Sequence, residues 1–112
     1  MPYTSLDKVK RRLGITTTDY DNLLNDLLTE VDAEINAILA RYTQVPVENP
    51  TWLPILSGIE ADWVAGRYRM LVEPAVLITA AGELREHAFV VDARRRLREL
   101  IDLIKGEVLR PL

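Results

Sequence analysis

Between Tyr20 and Tyr42 one apolar stripe constrains what this chain can fold into. Tyr20, Leu23, Leu24, Leu27, Leu28, Val31, Ile35, Ile38, Leu39 and Tyr42 recur at three- and four-residue intervals, the spacing that lines one face of an α-helix. The pattern predicts a long helix over 19–42, about six turns. Thr18 and Asp21 form a capping-box-like start, and Thr43-Gln44-Val45-Pro46 stops the run. A stripe this long cannot stay in water, so other helices must cover it.

Three further helices are legible. A short one over 5–13 begins at Thr4 or Ser5, either of which can accept a hydrogen bond from a free amide of the first turn. It buries Leu6, Val9 and Leu13, and Gly14 supplies a left-handed stop. Pro46 and Pro50 bound an extended loop, because the residue before a proline is pushed away from helical angles. Thr51 then caps a helix over 51–73, with Pro54 in the first turn, where its missing donor is harmless. Gly58, Ala61 and Ala65 form a small-residue stripe on this helix, and Gly58 and Gly66 suggest close approach of another backbone. Residues 75–82 are compatible with a strand, a helical turn or a connector. A second long helix runs over 83–105 with Gly106 as its stop, and 107–112 form an extended C-terminal tail. The expected fold is all-α, about four helices in one domain over 1–112, joined by extended loops.

Composition narrows the function. Of 112 residues, 48% are hydrophobic and 28% charged, ordinary for a globular chain. The absence of cysteine excludes disulfides and thiolate metal sites. No apolar run is long enough to span a bilayer, and the N-terminus lacks a signal-peptide pattern, so a cytoplasmic protein is the expectation. The net charge of −3 conceals a strong segregation. No Lys or Arg occurs between Leu13 and Ala40, where Asp19, Asp21, Asp26, Glu30, Asp32 and Glu34 all fall. Basic residues gather at the ends: Lys8, Lys10, Arg11 and Arg12, then Arg85, Arg94, Arg95, Arg96 and Arg98.

No constellation of catalytic residues is present. His87, the one histidine, sits beside Glu86 without an orienting partner and reads as an ordinary surface residue. Asp19, Asp26, Glu30 and Glu34 share an arc of the long helix, but no calcium-type loop accompanies them. Glycine-rich phosphate loops and nucleophile elbows are also missing. The expectation is a non-enzyme without cofactor or metal. The pairs Asp92–Arg96, Arg95–Glu99 and Arg98–Asp102 suggest that the arginine run is a self-paired, solvated face. The alternative reading is a small helical DNA-binding regulator using the basic ends. The acidic, overlong second helix makes a poor recognition helix.

The order of these elements resembles the small head–tail connector proteins of tailed bacteriophages, one branch of which is known as a phage domain of unknown function. The likeness rests on Ala33-Glu34-Ile35-Asn36-Ala37-Ile38-Leu39-Ala40-Arg41-Tyr42 followed by Val45-Pro46. It extends to Ala61-Asp62-Trp63, Ala65-Gly66-Arg67-Tyr68 and the Ala93-to-Asp102 arginine run with Ile104-Lys105-Gly106-Glu107-Val108. The resemblance implies a structural virion protein of the neck, a head-completion adaptor. It would form a roughly twelve-fold homo-oligomeric ring under the portal protein. Such a ring extends the DNA channel, passes genomic DNA without sequence recognition, and presents a surface to the next neck or tail-completion protein. No membrane, cofactor or catalysis is implied. A closed ring needs two different complementary surfaces per subunit. The expected subunit interface sets Asp19, Asp26, Glu30 and Glu34 against Arg94, Arg95 and Arg98 of the neighbour; the competing placement lines the channel with the acidic arc. The tail residues Val108, Leu109, Arg110, Pro111 and Leu112 are the expected portal-docking segment.

Overall fold

The computed structural model describes residues 2–73 and 87–109, with side chains described through Gly106. Four helices follow in order: α1 (Leu6–Leu13), α2 (Asp21–Leu39), α3 (Leu53–Val72) and α4 (Ala88–Leu109). No strand occurs among the described residues, and the fold is all-α. The run 75–82, residues 83–86 of the fourth predicted helix and residues 110–112 lie outside the described residues.

Helix α1 has the ends its sequence predicts. Ser5 is extended and its hydroxyl accepts from the Lys8 amide at 3.2 Å. Gly14 takes φ 71°, and the amides of Gly14 and Ile15 return to the carbonyls of Arg11 and Lys10 at 3.3 and 3.0 Å. That double closure is a Schellman turn.

The other boundaries move inward. Tyr20, not Thr18, stands at the start of α2 and makes no side-chain cap; Thr18 contributes only its carbonyl, to the Asp21 amide. At the far end α2 stops at Leu39, and Tyr42 and Thr43 donate back to the Leu39 carbonyl in a tight turn. The apolar stripe continues because this turn still packs Tyr42 against the core. Helix α3 begins at Leu53. Asn49 replaces Thr51 as the organiser: its side chain accepts from the Thr51 amide at 2.8 Å, and its carbonyl accepts from Trp52 and Leu53.

Helix α4 begins at Ala88, since His87 is not helical, and it runs through Gly106 to Leu109. The expected stop at Gly106, and the extended conformation expected from Glu107, are therefore corrected. An interior glycine costs only about 1 kcal/mol, and Gly106 does not adopt the left-handed conformation that ends a helix.

Helix α3 is the hub, contacting α1, α2 and α4. Its Leu56, Ile59, Glu60, Ala61, Trp63, Val64, Ala65, Gly66 and Tyr68 are all buried, so it is enclosed nearly all round rather than along one stripe. Around it pack Val9 of α1, Leu24, Leu27, Leu28, Val31, Ile35 and Leu39 of α2, and Val90, Ala93, Leu97, Leu100, Ile101 and Ile104 of α4.

The close helix approach falls at Gly66. A Cβ built there would meet Val90 Cγ2 at 2.7 Å and the Val90 amide nitrogen at 3.0 Å. At Gly58 it would meet only an Arg96 guanidinium nitrogen, at 3.7 Å. Expected outcomes therefore diverge. Gly66→Ala should destabilise by about 1–2 kcal/mol, because overpacking against a β-branched residue outweighs the gain in helix propensity. Gly58→Ala should instead stabilise by up to about 1 kcal/mol. Urea unfolding of the two variants measures both signs.

Candidate functional site

Two features stand out from the core: an open groove between α2 and α4, and a buried polar network at the N-terminal end. The groove has a volume of about 660 Å³. Its lining comes from Glu34, Ala37 and Ile38 of α2, Trp63 and Arg67 of α3, and Val91, Arg94, Leu97, Arg98 and Ile101 of α4. Val91 is 53% exposed here. Arg94 lies over the Trp63 ring, 5.8 Å from its centroid, a cation–π contact. The indole N–H of Trp63 is buried without an acceptor among the described residues.

This geometry sorts the charged residues expected at a subunit interface. Glu34 accepts from Arg67 at 2.7 Å, and Glu30 lies 4.0 Å from the same guanidinium. Arg95 bonds Asp92 and Glu99 at 2.5 and 3.0 Å. Its own pKa is raised and that of Asp92 is lowered, each chiefly by their mutual hydrogen bond. Arg96 pairs with Asp92 and with Asp62. The expected Asp92–Arg96 and Arg95–Glu99 pairs thus form; an Arg98–Asp102 pair does not appear among the described residues. Asp19, Asp26 and Arg98 remain exposed with no ion-pair partner among the described residues. Glu34, Arg94 and Arg98 share the groove, whereas Asp19, Asp26 and Arg95 do not line it. Of the tail residues, Val108 and Leu109 continue α4 in backbone, and Arg110, Pro111 and Leu112 lie outside the described residues.

Sequence patterning missed the polar network. Glu60 is 0% exposed on α3, and its Oε1 accepts from the Thr4 amide at 3.0 Å. Burial first, then a hydrogen bond with Asp32 of α2, pushes the Glu60 carboxyl up from 4.5 to about 8. Near neutrality Glu60 therefore keeps its proton, since a charged carboxylate would be buried beside that of Asp32 with little solvent to screen the two. Asn36, one turn beyond Asp32, donates to it at 3.4 Å and accepts from the Tyr3 hydroxyl at 2.5 Å. The Tyr3 oxygen in turn accepts from the Val47 amide at 2.9 Å. Burial raises the Tyr3 pKa. One chain of bonds therefore ties the N-terminal segment, α2, α3 and the proline loop together. The available signal was position: Glu60 lies one turn after Leu56 and one before Val64, where an apolar residue belongs.

His87 is likewise more than a surface residue. Its Nδ1 accepts from the Phe89 amide at 3.1 Å, its ring stands edge-on to Phe89, and its carbonyl accepts from Val90 and Val91. It organises the first turn of α4. Burial, then nearby Arg69, lowers its pKa.

The sign of the pH dependence follows. The folded chain holds the Glu60 proton more tightly than the unfolded chain. That contribution to stability is complete below about 4.5 and is lost as pH rises through about 8. His87 acts oppositely, because its lowered pKa makes stability fall with decreasing pH. Glu60→Gln can keep both hydrogen bonds without a titrating proton. The expected difference between variant and wild type is a curve favouring the variant progressively from pH 4.5 to about 8. Parallel stability profiles from chemical denaturation would contradict the raised Glu60 pKa.

Comparison with known proteins converges on the same elements. A family model described as phage gp6-like head-tail connector protein matches residues 3–60, just over half of the chain. The match begins at Tyr3 and ends at Glu60, so it contains every residue of the buried network. Neither the curated proteins nor the solved structures include a significant match to this chain. On the family model, and on the α1–α2–loop–α3 frame that it spans, the chain belongs to the phage gp6-like head–tail connector protein family.

Proposed function

We propose that this protein is a neck adaptor that closes into a homo-oligomeric ring under the phage portal. There it extends the DNA channel and offers its far side to the next neck or tail-completion protein. The observation that carries this reading is the family match over residues 3–60. A connector is a structural component of the virion, which favours this role over a DNA-binding regulator. The engagement of Arg95 and Arg96 by carboxylates of the same chain points the same way.

Ring closure requires heterologous contacts, with a different surface on each side of a subunit. Asp19 and Asp26 at the start of α2, and Arg98 in the groove of α4, are the charged groups on two such surfaces that carry no ion pair among the described residues. Exposed charge pairs contribute about 0–1 kcal/mol each. Charge therefore sets register and encounter rate, while apolar contact supplies most of the affinity. Lining of the channel by the acidic arc, where it would repel phosphate, is the second placement.

Docking to the portal is assigned to the C-terminal end, Val108 to Leu112. Among the residues whose side chains are described, Ile104 is the last buried one of α4. Deletion of residues 108–112 should leave the melting temperature within about 2 °C, the scale of a surface change, and should abolish co-sedimentation with purified portal. Retained portal binding would remove the assignment. For the ring itself, electron microscopy of the concentrated protein, alone and on portal, should show closed rings of uniform subunit number. A persistent dimer that shifts duplex DNA in a gel at moderate salt would instead support the regulator.

A further inference from the structure

We propose that the groove between α2 and α4 is the socket for a second copy of this chain, and that the N-terminal end of the copy's α2 enters it. In this contact Tyr20 seats against Ile38, Trp63 and Val91, and Asp19 and Asp26 meet Arg98. The inference rests on the ring reading and deepens it by naming both halves of the joint.

Each half is incomplete in the isolated chain. The groove exposes Val91, floors itself with Trp63, and holds Arg98 without an ion-pair partner among the described residues. At the start of α2, Tyr20 is 42% exposed, in a T-shaped contact with Tyr68 at 5.6 Å between centroids. Asp19 precedes it and Asp26 follows, both exposed and neither paired among the described residues. Lys10 of α1 pairs with Asp21 at 2.9 Å, so Asp19 and Asp26 are the carboxylates that this end of α2 offers to a slot rimmed by Arg94 and Arg98. Leu103, another exposed apolar residue, lies on the same helix as Arg98, with Glu99 and Glu107 at four-residue spacing on either side; it is aliphatic, and it serves as the control position below.

Within one chain Tyr20 is committed elsewhere: its ring is set against Tyr68 at 5.6 Å, and it precedes Ile38 by eighteen positions, roughly 27 Å along a helix at 1.5 Å per residue. The contact is therefore intermolecular and joins unlike surfaces, the arrangement that generates rings or filaments rather than isolated dimers. An aromatic anchor entering an apolar pocket, with charges at the rim, is also the composition of a binding hot spot.

The chain has no cysteine, so engineered thiols report the contact cleanly. A chain carrying both Asp26→Cys and Arg98→Cys, oxidised under assembly conditions, should give a ladder of covalent oligomers. Leu103→Cys with Arg98→Cys should not. Tyr20→Ala should raise the concentration of half-assembly by at least about tenfold, and Arg98→Glu should block assembly. Asp19→Lys with Asp26→Lys in the Arg98→Glu chain should restore it. Circular dichroism of each variant checks that these exposed substitutions leave the helices intact. Rings that persist unchanged in Tyr20→Ala and Arg98→Glu, without the cysteine ladder, would overturn this joint while leaving the ring reading standing. Failure of the wild-type chain to form any ring, alone or on portal, would overturn both.

Discussion

The enclosure of α3 is the constraint on which the rest of the structure depends. A helix covered on nearly every side can keep its neighbours in register only if each contact is specified, and α3 does this with residues that are not ordinary core residues. Glu60 holds the N-terminal segment through the Thr4 amide and sits beside Asp32 of α2 with its carboxyl pushed up to about 8. Asp62 is bonded from opposite directions by Arg12 of α1, at 2.6 Å, and Arg96 of α4. Gly66 admits the first turn of α4 to backbone contact. Arg67 reaches across to Glu34 and Glu30 of α2. Apolar burial supplies the driving force, and these four positions decide which packing it stabilises.

The helices were legible because period and punctuation agree. Ser5 and Gly14 bracket α1 as their side-chain chemistry dictates, and the stripe from Leu23 to Leu39 is continuous. What was misplaced depends on contacts made at a distance. Asn49 takes the role expected of Thr51 because its side chain and carbonyl together fold the turn before α3. Gly106 failed as a stop because a glycine ends a helix only where the chain adopts the left-handed conformation, as Gly14 does and Gly106 does not. The small-residue stripe was real, yet Gly58 faces an arginine head and Gly66 faces backbone, a difference set by where α4 crosses.

The candidate site was half legible. Charge segregation is visible in one dimension, but its division into engaged and unengaged groups is three-dimensional. Arg67 was never among the expected interface residues, yet it satisfies Glu30 and Glu34 within the subunit. Arg95 is held by Asp92 and Glu99. What is left over, Asp19 and Asp26 at one end and Arg98 in the groove, is a smaller and more directional set than the sequence suggested. The buried pair of Glu60 and Asp32 was hidden because charged residues in helices normally face water.

These features fit a structural part of a phage connector. The family match covers the network that stiffens the N-terminal half, while the arginine-rich wall of the groove comes from α4, outside the matched span. The most direct measurement is an electron cryomicroscopy map of the assembled protein at side-chain resolution. The account predicts the Asp19–Tyr20 end of one subunit lying against Trp63, Val91 and Arg98 of the next, around a closed ring. A ring in which the groove instead faces solvent or the channel lumen would contradict it.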